Sequence, residues 1–404
     1  MAAGFAGALL QRLGRQLSEA WHPRQRPRSP RNTRTWRCAC GRPVFFGQNR
    51  CRECDRELGY DPLAGEMQAL EAVPAADVRP HWRCASGARP GQHWVRCANA
   101  DGPAACNWLL PADEPGSRGQ RPLLCRSCRL NRTIPDLAWA DNAQAWARVE
   151  TAKRRLVSQL LALGLPLATR VAGAGGPGSE NTQRGLAFDF LRELPGGPPV
   201  LTGHAAGLIT LDIEEADDAV RERLRSQLGE PYRTLLGHLR HEVGHYCWDR
   251  LIAGSSWLEP FRQLFGDERA DYQAALQRHY QQGPPADWPA THVSAYAASH
   301  PWEDWAESWA HYLHLLDTLD TALSFGLEAD DVEVDVRPYG RDALTADDPD
   351  FLALVNAWLE LTALLNELSR SMGQPDFYPF VLSAAAVRKL HFVHRVVTDS
   401  SRLR

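Results

Sequence analysis

The sequence predicts an α+β protein in which a cysteine-rich region of loops and hairpins precedes a mainly helical domain with a small sheet. Three observations carry this. Nine of the ten cysteines lie between Cys38 and Cys128, several as close pairs. From about Asp141 the apolar residues recur at helical spacing. Between the first long helix and a histidine-rich one stand short extended segments, one of which alternates apolar and polar side chains as a half-buried strand does.

At 404 residues the chain is long enough for two or three domains. Its composition, 44% hydrophobic and 23% charged, is that of a globular protein. A net charge of -4 argues against whole-molecule attraction to nucleic acid. Residues 1–37 hold eight arginines and one acid, Glu19, and read as a basic, flexible N-terminal arm. The apolar run Phe5 to Leu10 falls short of the roughly 7–15 residues of a secretory signal. No stretch approaches the roughly 18 apolar residues of a membrane span, so the expected location is the cytoplasm. There, clustered cysteines point to metal rather than to disulfides.

The cysteine-rich region spans residues 38–135 and the helical domain residues 140–404. AQAWARVETAKRRLVSQLLALG reads as an amphipathic helix stopped at Gly164 and Pro166. The glycine-rich residues 172–185 are a loop, and GLAFDFL and GLITLDIEEA follow as extended segments. In the second, Ile209, Leu211 and Ile213 alternate with Thr210, Asp212 and Glu214. A helix over 216–228 ends at Gly229, and Pro231 opens another that runs to Ile252. Further helices are expected from Pro301 to about Leu319, over 351–373, and over 388–397.

The first cysteine cluster is Cys38-x-Cys40, a loop, then Cys51-x2-Cys54. Two knuckles so placed put four thiolates at the corners of a tetrahedron, the geometry of a closed structural zinc site. Cys125-x2-Cys128 forms a third knuckle, with Cys97 and Cys106 as its partners. Cys84 in place of Cys97 stays open. The expected complement is therefore one or two structural zinc ions in a zinc ribbon, which lacks the interleaved basic and aromatic residues that favour nucleic acid.

HLRHEVGHYCWDRL places His241 and His245 at i and i+4 on one helical face, where both imidazoles reach one metal. Glu242 follows His241, beside the open coordination position, where it can take a proton from water. A catalytic zinc needs a third protein ligand. Downstream, Glu303 and Glu307 share one face of the helix that Pro301 opens. Ala306 and Ala310 are small enough to let that helix pack closely on the first.

The segments TGHAAGLITLDIEEAD, EPYRTLLGHLRHEVGHYCWDRL and HPWEDWAESWAHYLH, with the ribbon before them, resemble bacterial zinc-binding metallopeptidases with an N-terminal zinc ribbon. HExxH with a downstream ExxAE is more distantly similar to gluzincins of the thermolysin and lethal-factor types. That resemblance implies a zincin-like domain that hydrolyses peptide or protein with one catalytic zinc. Glu303 would be the ligand, Glu307 the support of a ligand histidine, and Tyr296 the phenol that stabilises the oxyanion. It also implies that the strand Leu208–Glu214 is an edge that pairs with substrate.

For other residues the plain readings are preferred. Cys247 is a small buried side chain, and His238 lies one turn before His241 on the surface or behind the site. Asp249 either holds a ring nitrogen of His245 or balances Arg250. His311 and His314 are partly buried, and Trp302, Trp305 and Trp309 are core. The competing function is a regulatory protein that binds protein or nucleic acid through its ribbons and only presents a groove. An intact Glu242 favours the enzyme, since a pure binding module has no need of a base.

Overall fold

The computed structural model describes residues 32–402 apart from 75–78, 86–88, 90, 117–120, 172–183, 195, 229, 328–331, 333 and 335. Most of the expected flexible arm and of the glycine-rich loop lie outside the described residues. The arm's last residues are structured, with Arg34 buried and β1 spanning Thr35–Arg37.

β1 pairs antiparallel with β2 (Pro43–Phe45), and the turn between them carries Cys38 and Cys40. Gly41 there has φ 85°, a left-handed conformation that suits a residue without Cβ. Five short strands follow as an antiparallel meander in sequence order: β3 (Leu58–Asp61), β4 (Glu66–Val73), β5 (His81–Cys84), β6 (Trp94–Arg96) and β7 (Leu109–Pro111). A bridge between Tyr60 and Trp108 brings β3 back against the start of β7. Both aromatic side chains are buried, so the meander closes around its own apolar centre.

The second sheet has the order β10-β11-β9-β8, from β8 (Asn131–Thr133), β9 (Ala187–Leu191), β10 (Gly203–Ala205) and β11 (Leu208–Asp212). β11 runs parallel to β9 and antiparallel to β10. The expectation that the strand beginning at Leu208 is an edge is therefore corrected, because β10 covers it. The turn Ala206-Gly207 has positive φ at both residues, 49° and 87°, which is the two-residue hairpin geometry that matches strand twist. β8, from the end of the cysteine-rich region, pairs with β9 and so completes the helical domain's sheet.

The helices of eight residues or more are α1 (Ala140–Ala162), α2 (Asp218–Leu228), α3 (Leu235–Leu251), α4 (Leu258–Phe265), α5 (Tyr272–Gln282), α6 (Pro301–Ser324), α7 (Pro349–Ser371) and α8 (Ala384–Arg402). α3 begins at Leu235 and not at Pro231, because the Thr234 hydroxyl caps it by accepting from the Gly237 N–H at 3.0 Å. α4 and α5 were not expected. α7 is long and apolar enough to cross a membrane by length and composition alone, with mean hydropathy 1.3. Its Phe351, Leu354, Val355, Trp358 and Leu361 are buried in the protein core.

α3 and α6 form the central packing pair. A Cβ on Gly244 would sit 3.0 Å from the Ala306 Cα and 3.2 Å from Trp309. Glycine inside HExxH, facing alanine, thus sets the close approach, and Trp305 Nε1 locks it by donating to the Gly244 carbonyl at 2.8 Å. One continuous apolar core runs from Cys38 and Tyr60 through α1 to Val397 in α8.

Candidate metal centres and catalytic site

The eight cysteines chosen from spacing gather into two groups, Cys38, Cys40, Cys51, Cys54 and Cys97, Cys106, Cys125, Cys128. Sulfur–sulfur distances are 3.7 Å for Cys38–Cys54, Cys40–Cys51 and Cys106–Cys125, and 3.8 Å for Cys106–Cys128. Tetrahedral zinc with bonds of about 2.3 Å requires edges of about 3.8 Å, whereas a disulfide needs about 2.05 Å. The donor sets fit zinc. In the first group the Cys51 thiol is drawn down to about 6, chiefly by the backbone N–H of Cys54, while burial pushes Cys38 up to about 12. A dication would let all four ionise together. Cys84 lies apart in β5, packed on Leu70, Trp94 and Leu109, and burial raises its thiol to about 11.

The third group is His241, His245 and Glu303. The two histidines fall one turn apart on α3, buried against α6. Glu303 lies in the first turn of α6, whose cap is His300: its Nδ1 accepts from the Trp302 N–H at 3.1 Å. Glu303 Oε2 is 3.0 Å from His241 Nε2 and 3.5 Å from His245 Nε2. Ligands about 2.0–2.1 Å from a tetrahedral zinc stand about 3.3 Å apart, so these donors also fit the metal.

Around these donors the charges are fixed from outside. His241 Nδ1 meets Glu307 Oε1 at 2.7 Å, and Glu307 Oε2 accepts from the Ser294 hydroxyl at 2.6 Å. Burial opposes the imidazolium of His241, but Glu303 and Glu307 together raise its pKa well above the ordinary value. Glu307 resists the effect of burial through its bond to His241 and is held near 2. A carboxylate on Nδ1 keeps the proton there and leaves Nε2 free for a metal. Tyr272 donates its hydroxyl to Glu303 Oε1 at 2.6 Å. The Tyr296 ring lies 5.9 Å from that of His241, and burial, then the charge of Glu303, raises its phenol far above the ordinary value. Glu242 is nearly buried and has no ion-pair partner among the described residues.

His245 differs from His241. Its Nδ1 has no hydrogen-bond partner among the described residues, and Asp249 does not hold it. Instead Trp302 lies on the ring at 3.9 Å and His204 of β10 stacks at 6.1 Å. Trp302 is thus part of the site's wall, while Trp305 and Trp309 are core as expected. His238 turns away to Glu215 at 2.7 Å, and His314 to Arg240 at 2.7 Å. His311 binds the Tyr378 hydroxyl at 2.6 Å, and Cys247 is buried with its thiol pKa raised by desolvation.

The family described as "Putative zinc-binding metallo-peptidase" matches residues 142–396, and a zinc-ribbon domain matches residues 35–139. Uncharacterized proteins of Mycobacterium bovis and Mycobacterium tuberculosis are 42% identical over 361 residues, covering 89% of this chain and 94% of theirs. No solved structure matches.

Proposed function

Since this chain belongs to the family of zinc-binding metallopeptidases with an N-terminal zinc ribbon, we propose that it hydrolyses peptide bonds at a gluzincin-type centre. His241, His245 and Glu303 hold the metal, Glu242 is the general base, and the two cysteine groups hold structural zinc. The observation that carries this is the convergence of two imidazole Nε2 atoms and one carboxylate oxygen at tetrahedral spacing. Three protein donors leave one position for water or substrate, as catalytic zinc sites do. Zinc there supplies a Lewis acid that polarises the peptide carbonyl and acidifies water.

The chain's own residues supply the rest. Glu242 takes the proton of the attacking water and passes it to the leaving amine. Tyr296 donates a hydrogen bond to the carbonyl oxygen as charge develops on it. Glu307 keeps His241 in one tautomer. Substrate lies extended along β10, the edge strand beside β11. With a two-residue turn joining Ala205 and Leu208 as a hydrogen-bonded pair, the backbone of His204 points outward, toward an incoming strand.

The purified protein, loaded with zinc, is expected to cleave unfolded casein or a random peptide library and to lose that activity with a chelator. Peptide binding without cleavage of any sequence would instead favour a regulatory protein that only presents the groove. Metal analysis separates ligand from support. The full chain is expected to hold three zinc ions, one for each donor group. Glu303→Gln should hold two, while Glu307→Gln should keep three with affinity for the third lowered about 10–100-fold. The opposite ranking would reverse the two roles.

A further inference from the structure

We propose that Tyr272 is a positioning residue that makes Glu303 a one-oxygen ligand and leaves Tyr296 alone to serve the substrate. The inference rests on the metal centre proposed above and divides labour between two phenols, Tyr272 and Tyr296.

The two oxygens of Glu303 are treated differently. Oε2 faces His241 Nε2 and His245 Nε2 at 3.0 and 3.5 Å. Oε1 accepts the Tyr272 hydroxyl at 2.6 Å. A carboxylate that swings freely can ligate through one oxygen or both, and the second mode adds a fifth donor that crowds the position water needs. A short hydrogen bond to Oε1 opposes that swing, because turning Oε1 to the metal would break it.

Tyr272 is itself held. It opens α5, which Asp271 caps by accepting from the Ala274 N–H at 3.0 Å. Its ring packs edge-on to His300 at 5.2 Å and to Trp302 at 5.9 Å. His300 in turn ties the preceding loop to the start of α6, with its Nε2 3.1 Å from the Ala270 carbonyl. The phenol and the carboxylate it grips are therefore anchored to the same helix end. The Tyr296 ring lies 5.9 Å from that of His241 and its phenol feels the charge of Glu303, yet it is the Tyr272 hydroxyl that the carboxylate accepts.

The test uses full-length protein with Tyr272→Phe, which removes one hydroxyl and keeps the ring, and Tyr296→Phe as its control. Zinc affinity is measured by chelator competition. The loosely held site is then reloaded with cobalt(II), whose absorption reports coordination number. Tyr272→Phe is expected to weaken zinc binding about 10–100-fold and to shift the cobalt spectrum toward five-coordination. Tyr296→Phe should change neither. Wild-type affinity and an unshifted spectrum in Tyr272→Phe would overturn the proposal while leaving the metal centre intact. If wild-type cobalt absorption shows only thiolate charge-transfer bands, the non-thiolate centre itself is wrong and the proposal falls with it.

Discussion

Glu242→Gln is expected to lower turnover of a cleaved peptide about 10²–10⁴-fold, the usual contribution of a positioned general base. Zinc content and peptide affinity should stay at the wild-type level. Glutamine has nearly the same volume, so the buried turn of α3 and its packing on α6 are undisturbed. Glu242 takes part in no ion pair among the described residues, so its charge is not needed to hold a neighbour. What is lost is the proton acceptor beside the open coordination position. Turnover, zinc content and peptide affinity measured together decide the matter. Unchanged turnover would place hydrolysis at another site, and a fall in zinc content would make Glu242 a structural residue.

Much of the site was legible because its signals are local. HExxH needs only helical geometry to bring His241 and His245 to one face, and each cysteine knuckle needs only a tight turn. Glu303 and Glu307 were a pair by spacing, and resemblance ranked them. In the structure Glu303 Oε2 faces both Nε2 atoms, and Glu307 faces Nδ1 of His241. The edge strand was misplaced for a local reason too. The hairpin turn uses Ala206 at φ 49°, where an asparagine or glycine would have announced it. Tyr272, His204 and Trp302 could not be read, because no short motif joins them to His241, His245 and Glu303. Tertiary folding brings them there from α5, β10 and the first turn of α6.

The ribbon and the helical domain also share more than their separate compositions suggested. β8 belongs to the second sheet, and Cys128 Sγ lies 3.7 Å from the buried Glu150 of α1. Glu150 is paired with Lys153 at 2.5 Å, and Lys153 lies over the rings of Phe188 and Phe190 in β9. The second cysteine site thus packs against the wall of the helical domain. Cutting the chain after residue 135 would remove an edge strand as well as the ribbon.

Asp317→Asn is expected to destabilise the zinc-loaded protein by about 3–5 kcal/mol, the cost of breaking a buried ion pair from one side. Asp317 of α6 binds three arginines from three other segments. Its Oδ1 accepts from Arg34 Nε at 2.9 Å and Nη2 at 2.6 Å, while Oδ2 accepts from Arg155 at 2.6 Å and Arg240 at 2.7 Å. Arg34 and Arg240 are buried, so asparagine would leave their charges in the core with an amide N–H₂ facing N–H donors. Burial opposes ionisation of Asp317, but Arg34, Arg240 and Arg155 hold its carboxyl well below the usual range. Since the folded pKa is depressed, this stabilisation is fully present above the unfolded value of about 3.9 and is lost as pH falls toward the folded one. The gap between wild type and variant, read as a shift in the urea midpoint, should therefore be large near neutrality and narrow in acid. A midpoint close to wild type at neutral pH would show that the three guanidiniums find other partners. Arg240 immediately precedes His241, and Arg34 immediately precedes the first ribbon strand. Loss of Asp317 should consequently loosen α3 and the ribbon at once, in a single transition rather than two.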